Sequence, residues 1–198
     1  MSEVAAYPFI LASARDVHIA RGLHRVVTAT HRADLPSRVR HLLTQGADGE
    51  APGVVVGALP FQLSSPPRLY QPAHWSRPLP SSIPGQRFWP TTPSRAPRRW
   101  TLDEVPPRPD YERAVATVLD EMGRNRRLRK VVLARTLEAT ADVEIDPAHV
   151  FARLCADKAV TAFSVPLAPA ADSQRRVLLG ATPELLAART GPHVTSRP

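Results

Sequence analysis

The 198 residues carry 26 lysines and arginines against 18 acidic residues, a formal net charge of +8. That length suits one domain with a real core or part of a larger one, and the basic balance raises nucleic acid and other anions as partners. A single cysteine, Cys155, excludes a disulfide framework and a cysteine-based metal site.

Along the chain, Phe9–Ala12 and Val17–Ala20 read as the strands of a hairpin closing near Arg15-Asp16, with Val17 and Ile19 apolar around His18. Leu23–Thr30 is a candidate third strand. Asp34 can cap a short helix with Pro36 in its first turn; Val39, Leu42 and Leu43 follow at helical spacing and Gly46 stops it. Gly53–Leu59 is apolar enough for a buried strand.

Residues 60–109 hold thirteen of the twenty-two prolines and all three tryptophans, Trp75, Trp89 and Trp100. Proline at that density prevents continuous helix and removes ladder donors, so a long wrapping connection with short edge strands is expected, its tryptophans docked on a core. A proline-rich ligand for a recognition module is the functional alternative.

Regular structure returns as an amphipathic helix from Asp110 to about Arg127, with Ala114, Val115, Val118, Leu119 and Met122 on its buried side. A strand is expected from Lys130 through Ala139. Asp146 caps a helix that starts at Pro147 and runs through Val150, Phe151, Leu154 and Cys155. Strands follow at Ala162–Pro166 and Val177–Ala181. Leu185–Ala188 and His193–Ser196 form a last hairpin turning at Thr190-Gly-Pro192. The order implies an α+β fold of antiparallel sheets with packed helices. The final strand stops at Arg197-Pro198 without a partner, so the chain reads as cut off.

Two residues stand out chemically. Lysine is rare here, two against twenty-four arginines, yet Lys130 opens the apolar run Lys130-Val-Val-Leu-Ala-Arg-Thr-Leu-Glu-Ala139. Arginine stays charged, whereas a desolvated lysine can serve as a base or nucleophile. Some fifty residues on, Gly180-Ala-Thr-Pro-Glu-Leu-Leu186 carries one carboxylate, Glu184, at a turn. Bland readings exist for both: a solvated strand end for Lys130, and a first-turn helical residue for Glu184. Their pairing as base and acid points to an active site.

Other signals are weak. The basic run Arg124–Lys130 ends a helix, where cations suit the dipole on a solvated face, so no nucleic-acid role is assigned to it. His18, His24, His31 and His41 are scattered without metal-ligand spacing and read as surface residues. No phosphate loop, dinucleotide fingerprint, nucleophile elbow or zinc-protease helix is present. Glu3, not a basic segment, precedes the apolar Ala5–Ala14 stretch, and nothing approaches a membrane span, so a cytoplasmic chain is expected.

Lys130-Val-Val-Leu-Ala-Arg135, Phe163-Ser-Val-Pro166 and Leu178-Leu-Gly-Ala-Thr-Pro-Glu-Leu-Leu186 resemble the central motifs of chorismate-utilising enzymes, isochorismate synthases most closely. Pro8–Ser13 and Val54–Phe61 are similar to that family's opening strands, so the resemblance runs from near residue 8 to the end. A lysine at position 130 separates the chain from aminating relatives such as anthranilate synthase, which typically carry glutamine there.

The resemblance implies a mechanism. Lys130, as base, would deprotonate a water that attacks C2 of chorismate, and Glu184, as acid, would protonate the departing C4 hydroxyl. Both would face one substrate ring, with burial favouring their uncharged forms. It implies Mg2+ on the substrate carboxylate, with ligands beyond the end of this chain. It further implies a role in siderophore or menaquinone biosynthesis and a monomeric full-length enzyme of which residues 1–198 are the N-terminal part of one catalytic domain, inactive alone. Salicylate synthase, which goes on to eliminate pyruvate, is the alternative within the superfamily. A basic nucleic-acid-binding module is the alternative outside it.

Overall fold

The computed structural model describes residues 7–28, 32–45, 51–62, 64–79, 89, 95–125, 127–167 and 176–197. They fall into two compact units, Met1–Thr92 with Asp146–Pro198, and Pro93–Ile145.

In the first unit, β1 (Phe9–Ala12) and β2 (Val17–Arg21) form the expected antiparallel hairpin, from Phe9↔Ala20 to Ala12↔Val17. Ser13 closes the turn: its Oγ accepts the N–H groups of Arg15 and Asp16 at 3.2 and 3.1 Å, and its own N–H donates to the Asp16 carbonyl at 2.8 Å. The hairpin sits inside a five-stranded antiparallel sheet. β9 (Thr161–Leu167) flanks β1, with β10 (Arg176–Thr182) beyond it, and β6 (His74–Ser76) flanks β2.

Strand alternation sends Ile10, Ala12, Val17, Ile19 and Ala162 to one face, where they form a buried cluster with Ala148, Phe151 and Trp89. Ala148 and Phe151 come from α3 (Pro147–Leu154). This helix starts as expected: the Asp146 carboxylate accepts the Ala148 N–H at 2.9 Å, and proline takes the first position, where no N–H is needed. Trp89 tilts against Phe151 with ring centroids 5.9 Å apart. Burying Phe151 alone contributes about 1.5–3 kcal/mol.

A second cluster joins Phe9, Ala20 and Trp75 of this sheet to Val56 and Tyr70. The latter two belong to a three-stranded sheet in which β5 (Arg68–Gln71) lies between β3 (Arg25–Val26) and β4 (Val56–Ala58). α1 (Leu35–Gln45) follows a 3-10 turn at Arg32–Asp34 and packs Leu35 and Leu42 with Val27.

Several expectations shrink here. The third strand is two residues long, and the Gly53–Leu59 strand is three, with Val56 its buried member. Their common partner β5 is itself short, followed by Pro72, which has no N–H to extend the ladder. Thr30 and the helix stop at Gly46 lie outside the described residues. His18 is no surface residue: it is half-buried, its ring stacked 5.1 Å from that of Trp75. Burial, then the Arg77 charge, holds its pKa below the ordinary value, with Asp16 opposing.

The C-terminal hairpin of this unit is as expected, with β11 (Leu185–Thr190) paired to β12 (His193–Arg197). Gly191 supplies the positive φ of 57° that its turn requires.

In the second unit, β7 (Trp100–Val105) pairs antiparallel with β8 (Thr136–Ala141), and α2 (Arg108–Arg124) lies between them in sequence. Two expectations fail here. The strand does not begin at Lys130 but at Thr136. Its ladder ends at Val105↔Thr136 because β7 runs into Pro106 and Pro107, which offer no N–H, and then into the helix. The helix also buries none of its residues: Val115, Val118 and Met122 are half-covered, while Ala114 and Leu119 are exposed.

Candidate active site

The motifs that single out Glu184 are neighbours in the sheet. Phe163-Ser-Val-Pro166 lies in β9 and pairs residue for residue with Val177–Gly180 of β10: Pro166↔Val177, Val165↔Leu178, Ser164↔Leu179, Phe163↔Gly180. Pro8–Ser13 supplies β1 on the other side, with Ile10↔Ser164 and Ala12↔Ala162. The fully buried Ser164 hydroxyl donates to the Pro8 carbonyl at 2.9 Å and ties these segments together.

Gly180 has a packing reason. A Cβ built there would lie 2.3 Å from Cζ of Phe163, so the ring already occupies the space over the glycine. β10 ends at Thr182, Pro183 follows, and the chain turns into β11. Glu184 sits in that turn, where its N–H donates to Thr182 Oγ1 at 3.1 Å. Its side chain is exposed and makes no hydrogen bond or ion pair among the described residues. It is a strand-to-strand turn residue, not the first-turn helical residue of the bland reading.

Lys130 belongs to the second unit, exposed at the start of a segment, 130–135, without strand pairing. That segment is fastened further along. Tyr111 of α2 donates its hydroxyl to the Leu133 carbonyl at 3.5 Å, and Arg135 bonds Glu104 at 3.1 Å with its guanidinium 5.6 Å from the Tyr111 ring centroid. Glu104 also accepts the Arg108 N–H at 2.9 Å, which joins β7, α2 and the Lys130 segment within this unit. Tyr111 and Glu104 are the contributors that sequence reasoning missed. Arg135 was visible as the end of the quoted motif, but its partner lies 31 residues away with no periodic signal.

Part of the positive charge is paired locally. Ion pairs link Arg77 to Asp16, Arg95 to Asp142, Arg108 to Glu112, Arg113 to Asp110, and Arg124 to Asp120. Cys155 packs partly buried against the first core, and burial pushes its thiol up, with Lys158 opposing, so it is not an activated nucleophile. Among the described residues there is no group of three or more His, Cys, Asp or Glu side chains that could hold a metal ion. No helix among them is long and apolar enough to cross a membrane.

A family model described as chorismate binding enzyme matches residues 87–197, more than half of the chain. A Mycobacterium tuberculosis protein provisionally assigned as the isochorismate synthase MenF is 34% identical over 196 residues, which span 96% of this chain and 48% of that protein. The isochorismate synthase DhbC of Bacillus subtilis is 30% identical over 199 residues, again 96% of this chain and 48% of its own length. Among solved structures, the protein provisionally assigned as the 2,3-dihydroxybenzoate-specific isochorismate synthase DhbC of Bacillus anthracis superposes with a TM-score of 0.77 at 25% identity, over 99% of this chain and 49% of that one. The chain thus spans about half the length of the curated relatives it matches.

Proposed function

The chain belongs to the chorismate binding enzyme family, and from that premise we propose that it forms part of an isochorismate synthase with Lys130 as base and Glu184 as acid. Neutral Lys130 takes a proton from water as the water oxygen bonds to C2 of chorismate. The ring double bonds shift, the C4–O bond breaks, and the Glu184 carboxyl gives its proton to the departing hydroxyl, which leaves as water. One water enters and one leaves, so the reaction is an isomerisation. Siderophore or menaquinone biosynthesis would consume the product.

The observation that carries this reading is the Gly180–Leu186 turn. It offers a single carboxyl, at the end of a strand locked by the other family-like segments, free of any competing partner among the described residues. Both Lys130 and Glu184 are exposed, so bound substrate would have to supply desolvation at the site.

The test is turnover of chorismate by the full-length protein, with products separated chromatographically. Lys130→Gln and Glu184→Gln should each lower kcat by about 10²-fold or more, with the unfolding midpoint unchanged. Turnover near the parent rate by either variant removes that residue from its role. Absence of isochorismate from the parent reaction overturns the reading itself.

A further inference from the structure

We infer that Thr182 is a positioning residue for Glu184, an inference that rests on the acid role proposed above. Glu184 has no side-chain partner among the described residues, so its own backbone must aim the carboxyl. That backbone is fixed at one place: its N–H donates to Thr182 Oγ1 at 3.1 Å. Pro183, between them, has no N–H and a ring-locked φ, so the Glu184 amide is the first after the strand that can be tied down.

Thr182 is itself well held. It is the last residue of β10, paired with Thr161 at the end of an unbroken seven-residue register with β9, and two positions earlier the Phe163 ring lies over Gly180. The threonine methyl restricts χ1, so the acceptor keeps one direction more firmly than a serine would. The hydroxyl accepts through a lone pair and keeps its own proton. Sheet order thereby passes through one side chain to the turn that carries the acid. This is a local side-chain-to-backbone bond of the kind that stabilises turns, used here to orient the residue two positions on.

The test compares Thr182→Val, which keeps the shape and loses the acceptor, with Thr182→Ser, which keeps the acceptor. On the full-length protein, valine should lower kcat about tenfold with KM little changed, and serine should restore most of it. In the 198-residue chain, NMR should show the Glu184 amide exchanging about tenfold faster in the valine variant alone. Should valine prevent folding, Thr182→Ala serves the same comparison.

If the valine variant turns over at the parent rate while Glu184→Gln is inactive, Thr182 does not position the acid, though the acid role stands. Equal losses in serine and valine, confined to KM, also overturn the inference, because they report packing and not the acceptor. If Glu184→Gln keeps parent activity, the acid role fails and takes this inference with it.

Discussion

Replacing Gly180 by alanine places a methyl carbon 2.3, 2.8 and 2.9 Å from Cζ, Cε1 and Cε2 of Phe163. Carbon atoms in contact prefer about 3.5–4 Å, so either the ring moves by roughly 1 Å or β10 parts from β9. The Phe163 backbone is held by register partners on both sides, Gly180 and Leu11, so relief has to come from the half-buried ring swinging about its side-chain torsions. Overpacking of this kind costs about 1–3 kcal/mol, while alanine in a strand regains about 0.5–1 kcal/mol of glycine's backbone entropy. The net expectation is a loss of about 0–2.5 kcal/mol. In a Phe163→Ala background the same methyl meets no ring, and the substitution should become neutral or stabilising by up to about 1 kcal/mol. A double-mutant cycle by urea unfolding measures the difference, with fluorescence of the buried Trp89 reporting on the core of this unit. A Gly180→Ala cost equal in both backgrounds to within about 0.5 kcal/mol would refute the argument, and the glycine would need another reason.

Burial raises the Tyr70 phenol from 10.0 to about 12. The unfolded chain therefore releases this proton first as pH climbs, and stability should fall by about 1.4 kcal/mol per pH unit between 10 and 12. Tyr70→Phe should remove this component of the decline, measured as unfolding free energy against pH; an unchanged slope would count against it. Asp146→Ala leaves the Ala148 N–H without its cap and should cost about 1 kcal/mol of unfolding free energy, with Asp146→Asn recovering most of it.

What was legible in the sequence depended on whether a signal was local. The β1–β2 hairpin, the Asp146-Pro147 helix start and the terminal hairpin each rest on residues a few positions apart, and all stand where the sequence placed them. The α+β class follows from their order, and the matched solved structure shares the fold. Strand lengths in the three-stranded sheet were not legible, because a strand ends where its partner ends. Gly53–Leu59 looked apolar throughout, yet its pairing stops with β5. His18 misled for a similar reason, since the Trp75 ring that covers it comes from a strand far along the chain.

The candidate site divides along the same line. Glu184 was read at a turn breaking the Gly180–Leu186 apolar run, and the paired motifs around it supply a physical reason for Gly180. Lys130 was read as a strand residue because Val131, Val132 and Leu133 are good strand formers. Propensity describes fitness for a pleated surface, and a strand also needs a neighbour to bond with. Here β7 offers none past Val105, so Val132 remains 78% exposed. What orders the segment instead is Arg135, held by Glu104 and Tyr111. An apolar run that is anchored at one end and unpaired at the other has the composition of a central strand without the ladder of one.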